Sequence, residues 1–178
     1  MFRRRSQLET VSIDARGVPD LTQLRWPASD YYALHLEAIR EDDFPKRVMA
    51  SWGLIARGVE AMPFLLKMLH SDSADSREDA AGALAWIGTS SPEVVAALLD
   101  ALRRSVADEE RDSILLGLGG LRAREAVPAV AEILRDPTVD GDTRHTAAEA
   151  LGQIVRRRFD KQPDPIQAAL GWLDAHPT

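Results

Sequence analysis

Arg144-His145-Thr146-Ala147-Ala148-Glu149-Ala150-Leu151-Gly152-Gln153-Ile154 decides the fold, because three earlier segments align with it without a gap. They are Arg47-VMASWGLIARG, Arg77-EDAAGALAWIG and Arg111-DSILLGLGGLR. The leading arginines recur at intervals of 30, 34 and 33 residues, and the seventh residue after each is leucine: Leu54, Leu84, Leu118 and Leu151. The next position holds Ile55, Ala85, Gly119 or Gly152, mostly small, as a close helix crossing requires. A period of this length marks helical units that bury their apolar sides only by stacking on their neighbours.

Shorter apolar runs lie between these segments, several opened by a proline: Met62-Pro63-Phe64, Ser91-Pro92-Glu93 and Val127-Pro128-Ala129. Proline suits the first helical turn, where its missing N–H has no intrahelical partner. Asp30, Asp75, Asp108 and Asp142 stand near other helix starts, where a carboxylate accepts free N–H groups and complements the dipole. The pattern predicts helices near 30–41, 46–58, 61–70, 75–88, 91–104, 108–121, 125–135, 142–158 and 164–175. The last, with Ile166, Leu170, Trp172 and Leu173, reads as a cap on the end of the stack. Residues 1–28 show no helical period, and Gly17, Pro19 and Pro27 argue against a long helix there.

The arrangement resembles bacterial HEAT-like repeats of the short kind found in phycobilin lyase subunits. Ala126-Val127-Pro128, Leu134-Arg135-Asp136 and the run from Arg144 to Ile154 carry the resemblance. Leu69, Asp72, Arg77, Ala80, Ala81, Ala83, Leu84, Ile87 and Gly88 repeat it one copy earlier. The fold expected is therefore all-α: a right-handed α-solenoid of about four HEAT-like helix pairs plus a C-terminal capping helix. An extended or disordered arm over residues 1–28 would precede a repeat solenoid over 29–178. The tryptophan and threonine-proline signatures of tetratricopeptide and ankyrin repeats do not occur.

In families this chain resembles, the second helix of each pair lines the concave surface on which partners sit. At about 100° per residue, offsets 0, 3, 4, 7 and 11 from the leading arginine share the core side, and offsets 2, 5 and 9 the opposite one. The outward set is Met49, Trp52 and Ala56; Asp79, Gly82 and Trp86; Ser113, Leu116 and Gly120; Thr146, Glu149 and Gln153. Large apolar residues at such positions mark an interaction surface. The expected partner-binding residues are therefore Trp52, Trp86, Leu116, Met49, Asp79, Glu149 and Gln153. The leading arginines are expected to brace the stack, Arg77 through Asp72 and Arg144 through Asp136 and Asp142.

Four scattered histidines without metal-ligand spacing, no phosphate-binding glycine loop and no nucleophile elbow give the reading of no enzyme, no metal and no cofactor. Gly117-Leu118-Gly119-Gly120 falls inside a repeat helix, where small residues serve packing. The acidic runs Glu41-Asp42-Asp43 and Asp108-Glu109-Glu110 read as dipole complements. Zero cysteines and no apolar run of membrane length point to a cytoplasmic protein. The expected partner is another protein or a peptide, met by a non-catalytic adaptor, scaffold or immunity-type accessory protein.

Two alternatives follow from the resemblance: a chromophore or cofactor lyase accessory subunit, and a DNA-binding protein like a bacterial glycosylase family of similar fold. Nucleic acid is disfavoured by a net charge of −6 and by an outward set without lysine or arginine. Basic residues gather instead at Arg3-Arg4-Arg5, Arg103-Arg104 and Arg156-Arg157-Arg158, the last expected to close a helix.

Overall fold

The structure, a computed structural model, describes residues 11–15 and 17–177. Arg3-Arg4-Arg5 and the start of the expected arm lie outside the described residues. The helices are α1 (Ala28–Glu41), α2 (Phe44–Arg57), α3 (Met62–Leu69), α4 (Ala74–Ile87) and α5 (Pro92–Arg104), followed by α6 (Asp108–Gly120), α7 (Val127–Arg135), α8 (Gly141–Val155) and α9 (Pro165–Ala175). The chain is all-α, of the HEAT-type α-solenoid class, and each helix lies where the sequence pattern puts one. It divides into two compact units, residues 1–65 and 66–178, with the boundary inside α3.

In the first unit, Ile13 and Pro19 pair in an isolated antiparallel bridge. α1 and α2 pack on each other, with Tyr31 wholly buried between them. A Cβ at Gly53 would stand 2.0 Å from Cδ1 of the Tyr31 ring, so only glycine admits that ring. The Tyr31 hydroxyl accepts a bond from the Trp26 N–H at 3.3 Å, and the two rings stack with centroids 5.4 Å apart. Burial raises the Tyr31 pKa. The acidic run after α1 does more than complement a dipole. Lys46 Nζ binds Glu37 at 3.2 Å, Glu41, and Asp43 at 3.6 Å, while Asp43 also caps α2 by accepting the Lys46 N–H. The Glu41 bond is the leading cause of a raised Lys46 pKa.

In the second unit, α4, α6 and α8 lie side by side as one layer. α5 packs on α6, α7 packs on α8, and α9 packs on both α7 and α8 as a cap. The core follows the repeat register. Offsets 3, 4 and 7 supply Ala80, Ala81 and Leu84, then Ile114, Leu115 and Leu118, then Ala147, Ala148 and Leu151, all at 0% exposure. The small residues let the layer close. A Cβ on Gly117 would stand 3.1 Å from the Ala81 carbonyl oxygen, and one on Gly119 would stand 2.9 Å from Ala150 Cα.

Offset 11 does not join this core. Gly88 and Arg122 are exposed and Val155 half-buried, because α4 and α6 have ended by that point and α8 is on its last residue. Offset 6 is buried instead, as Ala83, Gly117 and Ala150. Nor do Asp75 and Asp142 cap their helices. The accepting side chains are Ser73, toward the Ser76 N–H, and Asp140, toward the Asp142 N–H. Ser91 and Asp164 cap α5 and α9 in the same way. The aspartates inside the first turn still complement the dipole.

The leading arginines brace the second unit by a route the sequence did not show. Arg77 reaches across to the next repeat, where Glu110 accepts from its Nε at 2.5 Å and its Nη2 at 3.0 Å, both side chains buried. Its Nη1 donates to the Ser71 carbonyl at 2.7 Å. The Glu110 bond is the first cause of a raised Arg77 pKa, and Asp72 adds a longer-range attraction. Arg111 donates to the Ser105 carbonyl at 3.4 Å, and Arg144 to the Leu134 carbonyl at 2.9 and 3.1 Å. Each arginine therefore binds a carbonyl at or just past the end of the preceding helix, where acceptors lack intrahelical donors.

Candidate functional site

The layer of α4, α6 and α8 exposes the predicted offsets. On α4 Asp79 and Gly82 are half-buried and Trp86 is 62% exposed. On α6 Ser113 is half-buried, Leu116 is 40% exposed and Gly120 is exposed. On α8 Thr146 and Gln153 are half-buried and Glu149 is exposed, accepting a bond from Gln153 Nε2 at 3.2 Å. Because α6 packs against both α4 and α8, these positions form a strip across three neighbouring helices, with Trp86 and Leu116 as its large apolar residues and polar residues on all three. Met49 and Trp52, the other two residues of the predicted set, sit on α2 in the first unit, both half-buried. The strip thus brings together Asp79, Trp86, Leu116, Glu149 and Gln153.

Between α6 and α8 the electrostatics are unusual. Asp112 lies near the hydroxyls of Thr143 and Thr146, yet loss of solvent outweighs those contacts and raises its pKa. One carboxyl oxygen of Asp112 and the Thr143 hydroxyl are buried without a hydrogen-bond partner among the described residues. A buried acceptor in that state weakens an interface, so this seam is polar but poorly satisfied.

At the C-terminal end of the same layer lies a recess of about 650 Å³ that the repeat pattern did not reveal. Gly119, Gly120, Gly152 and Gln153 line it together with Glu149, Asp160, Phe159 and four arginines, Arg122, Arg156, Arg157 and Arg158. The helical wheel missed it because α8 stops at Val155, so Arg156 to Arg158 do not close the helix as expected. Arg156 adopts the left-handed conformation at φ 58° and turns the chain, and Arg122 does the same after α6 at φ 53°. The readable signal was the slot itself: the equivalent turn after α4 holds Gly88, at φ 70°.

Among the described residues no group of three or more His, Asp or Glu could hold a metal ion. His35, in the first unit, is fully buried, whereas His70, His145 and His176 are exposed and far apart in sequence. Among the described residues no helix is long and apolar enough to cross a membrane.

The stacked pairs, with leucine at one register and small residues beside it, have the architecture of a HEAT-type α-solenoid. Residues 33–119, just under half of the chain, match the family model for HEAT repeats. Among curated proteins the chain is similar to deoxyhypusine hydroxylase of Gallus gallus, 33% identical over 98 residues. That match takes in 45% of this chain and spans 33% of the hydroxylase's length.

Proposed function

We propose that this is a non-catalytic protein–protein interaction module, a cytoplasmic adaptor, scaffold or immunity-type accessory protein of the short bacterial repeat type. Its partner, another protein or peptide, docks on the outer face of α4, α6 and α8. The single observation that carries the reading is Trp86, a large aromatic standing 62% exposed next to a layer whose inner register is wholly buried. Trp86 and Leu116 would anchor the partner by burial of apolar surface, and Asp79, Glu149 and Gln153 would form a polar rim. Met49 and Trp52 would serve the same purpose on α2.

The test is capture by the full chain followed by reconstitution with the purified partner. Trp86→Glu should weaken binding at least tenfold, which is about 1.4 kcal/mol, and leave helix content unchanged. Glu132→Ala, on the exposed side of α7, should bind as the wild type does. If Trp86→Glu unfolds the protein, or binds as well as the wild type, this face is not the docking surface. A second reading, an enzyme with hydroxylase activity, is favoured by the partial likeness to deoxyhypusine hydroxylase alone.

A further inference from the structure

We propose that the recess at the C-terminal ends of α6 and α8 binds a compact, multiply charged anion of the phosphate type through Arg122, Arg156 and Arg157. The first ground is charge. The chain carries a net charge of −6, yet arginines crowd this one cavity. Arg158 is committed to Asp160, which accepts from its Nε at 3.0 Å and Nη2 at 3.1 Å. With Lys161 at 3.3 Å, that pairing holds the Asp160 carboxyl at about 2. Among the described residues the side chains of Arg122, Arg156 and Arg157 have no acidic partner and no hydrogen bond. Of the two carboxylates on the recess wall, Asp160 is held by Arg158 and Lys161, and Glu149 accepts from Gln153.

The second ground is the backbone. A side chain in the left-handed region is strained relative to glycine, and such strain persists where the residue does something glycine cannot. The turn after α4 meets the same geometric need with Gly88. Ending a helix in this stack therefore does not require an arginine. In the next two repeats Arg122 and Arg156 occupy left-handed turns, and both line the recess.

The third ground is shape. The volume is that of a small-ligand site, and Gly119, Gly120 and Gly152 keep its wall low, while Phe159 is buried behind it. Arg122 and Arg156 also border an adjoining recess of about 360 Å³ with Ser90, Arg124 and Glu125. Guanidinium groups lining one recess suit bidentate contacts to phosphate oxygens. The anion is either a free phosphorylated metabolite or a phosphorylated residue on a docking protein, since both present the same group.

The recess shares Gly120, Glu149 and Gln153 with the outer face of the layer, but none of its arginines belongs to the docking set, and the test keeps the two sites apart. Inorganic pyrophosphate is titrated into the ¹⁵N-labelled full chain at low salt, followed by calorimetry. The amides of Gly119, Gly120, Gly152 and Arg157 should shift saturably, and added salt should weaken the binding. Arg156→Gln with Arg157→Gln should raise Kd at least tenfold with the circular dichroism spectrum unchanged. Arg156→Gly should lose affinity while melting no lower than the wild type. Arg103→Gln, on α5 away from the recess, and Trp86→Glu should bind pyrophosphate as the wild type does. A phosphoserine hexapeptide binding more tightly than pyrophosphate at the same amides would place the anion on a partner protein; the reverse order would make it a free metabolite. No saturable shift at millimolar pyrophosphate overturns the proposal. So does a single-stranded oligonucleotide that displaces pyrophosphate while shifting amides along the whole of α4, α6 and α8.

Discussion

Replacing Arg77 by alanine should be among the most damaging single changes in the second unit. The substitution leaves Glu110, whose side chain is 2% exposed, without its two guanidinium donors, and frees the Ser71 carbonyl as well. Removing one member of a buried ion pair costs about 3–5 kcal/mol, because the survivor keeps its desolvation penalty and loses its compensation. A domain's entire stability is only about 5–15 kcal/mol. With about 3–4 °C of melting temperature per kcal/mol for a domain of this size, the expected drop is about 10–20 °C. Urea and thermal unfolding followed by circular dichroism at 222 nm give both numbers. The companion variant Arg77→Met with Glu110→Leu removes both charges and should recover most of the loss, since a packed apolar pair of similar volume rivals a buried ion pair. The coupling energy from the full cycle with Glu110→Leu alone isolates the pair. A cost below about 1 kcal/mol for Arg77→Ala, the range of solvent-exposed pairs, would refute the claim that this contact braces the repeats.

Other substitutions probe the layer from different sides. Gly119→Ala drives a Cβ to within 2.9 Å of Ala150 Cα and should destabilise by about 1–3 kcal/mol in urea unfolding. Gly82→Ala, with nothing within 4 Å of the added carbon, should stabilise by about 0.5–1 kcal/mol through helix propensity. Asp112→Asn tests the polar seam between α6 and α8. The folded-state pKa of Asp112 lies above its ordinary value of 3.8, so its favourable contribution is full below that pH and is lost as pH rises through the folded pKa. Asn should therefore be the more stable variant at pH 7, and its advantage should vanish below pH 3.8 in a series of thermal melts.

The sequence by itself determined the repeat. A leucine seven residues after each arginine, small residues beside it and prolines opening the intervening helices specify nine helices and their inward faces, because periodicity encodes the angle at which each side chain leaves its own helix. It also placed Trp86 and Leu116 outside, by the same rule. What only the tertiary structure decided are the relations between helices and the points where helices stop. Arg77 pairs with Glu110, one repeat on, and not with Asp72, its neighbour in sequence, because the contact depends on how far one helix slides along the next. Offset 11 left the core because α4 and α6 end before it and α8 ends on it, and Arg156 left its helix because its left-handed conformation breaks the 100° step on which the wheel rests. Met49 and Trp52 fell into a different compact unit from Trp86, a division set by packing density along the whole chain. The arginine-lined recess belongs to this second kind: its walls come from the ends of α6 and α8 and the turn beyond, and no local period joins residues that only stacking brings together.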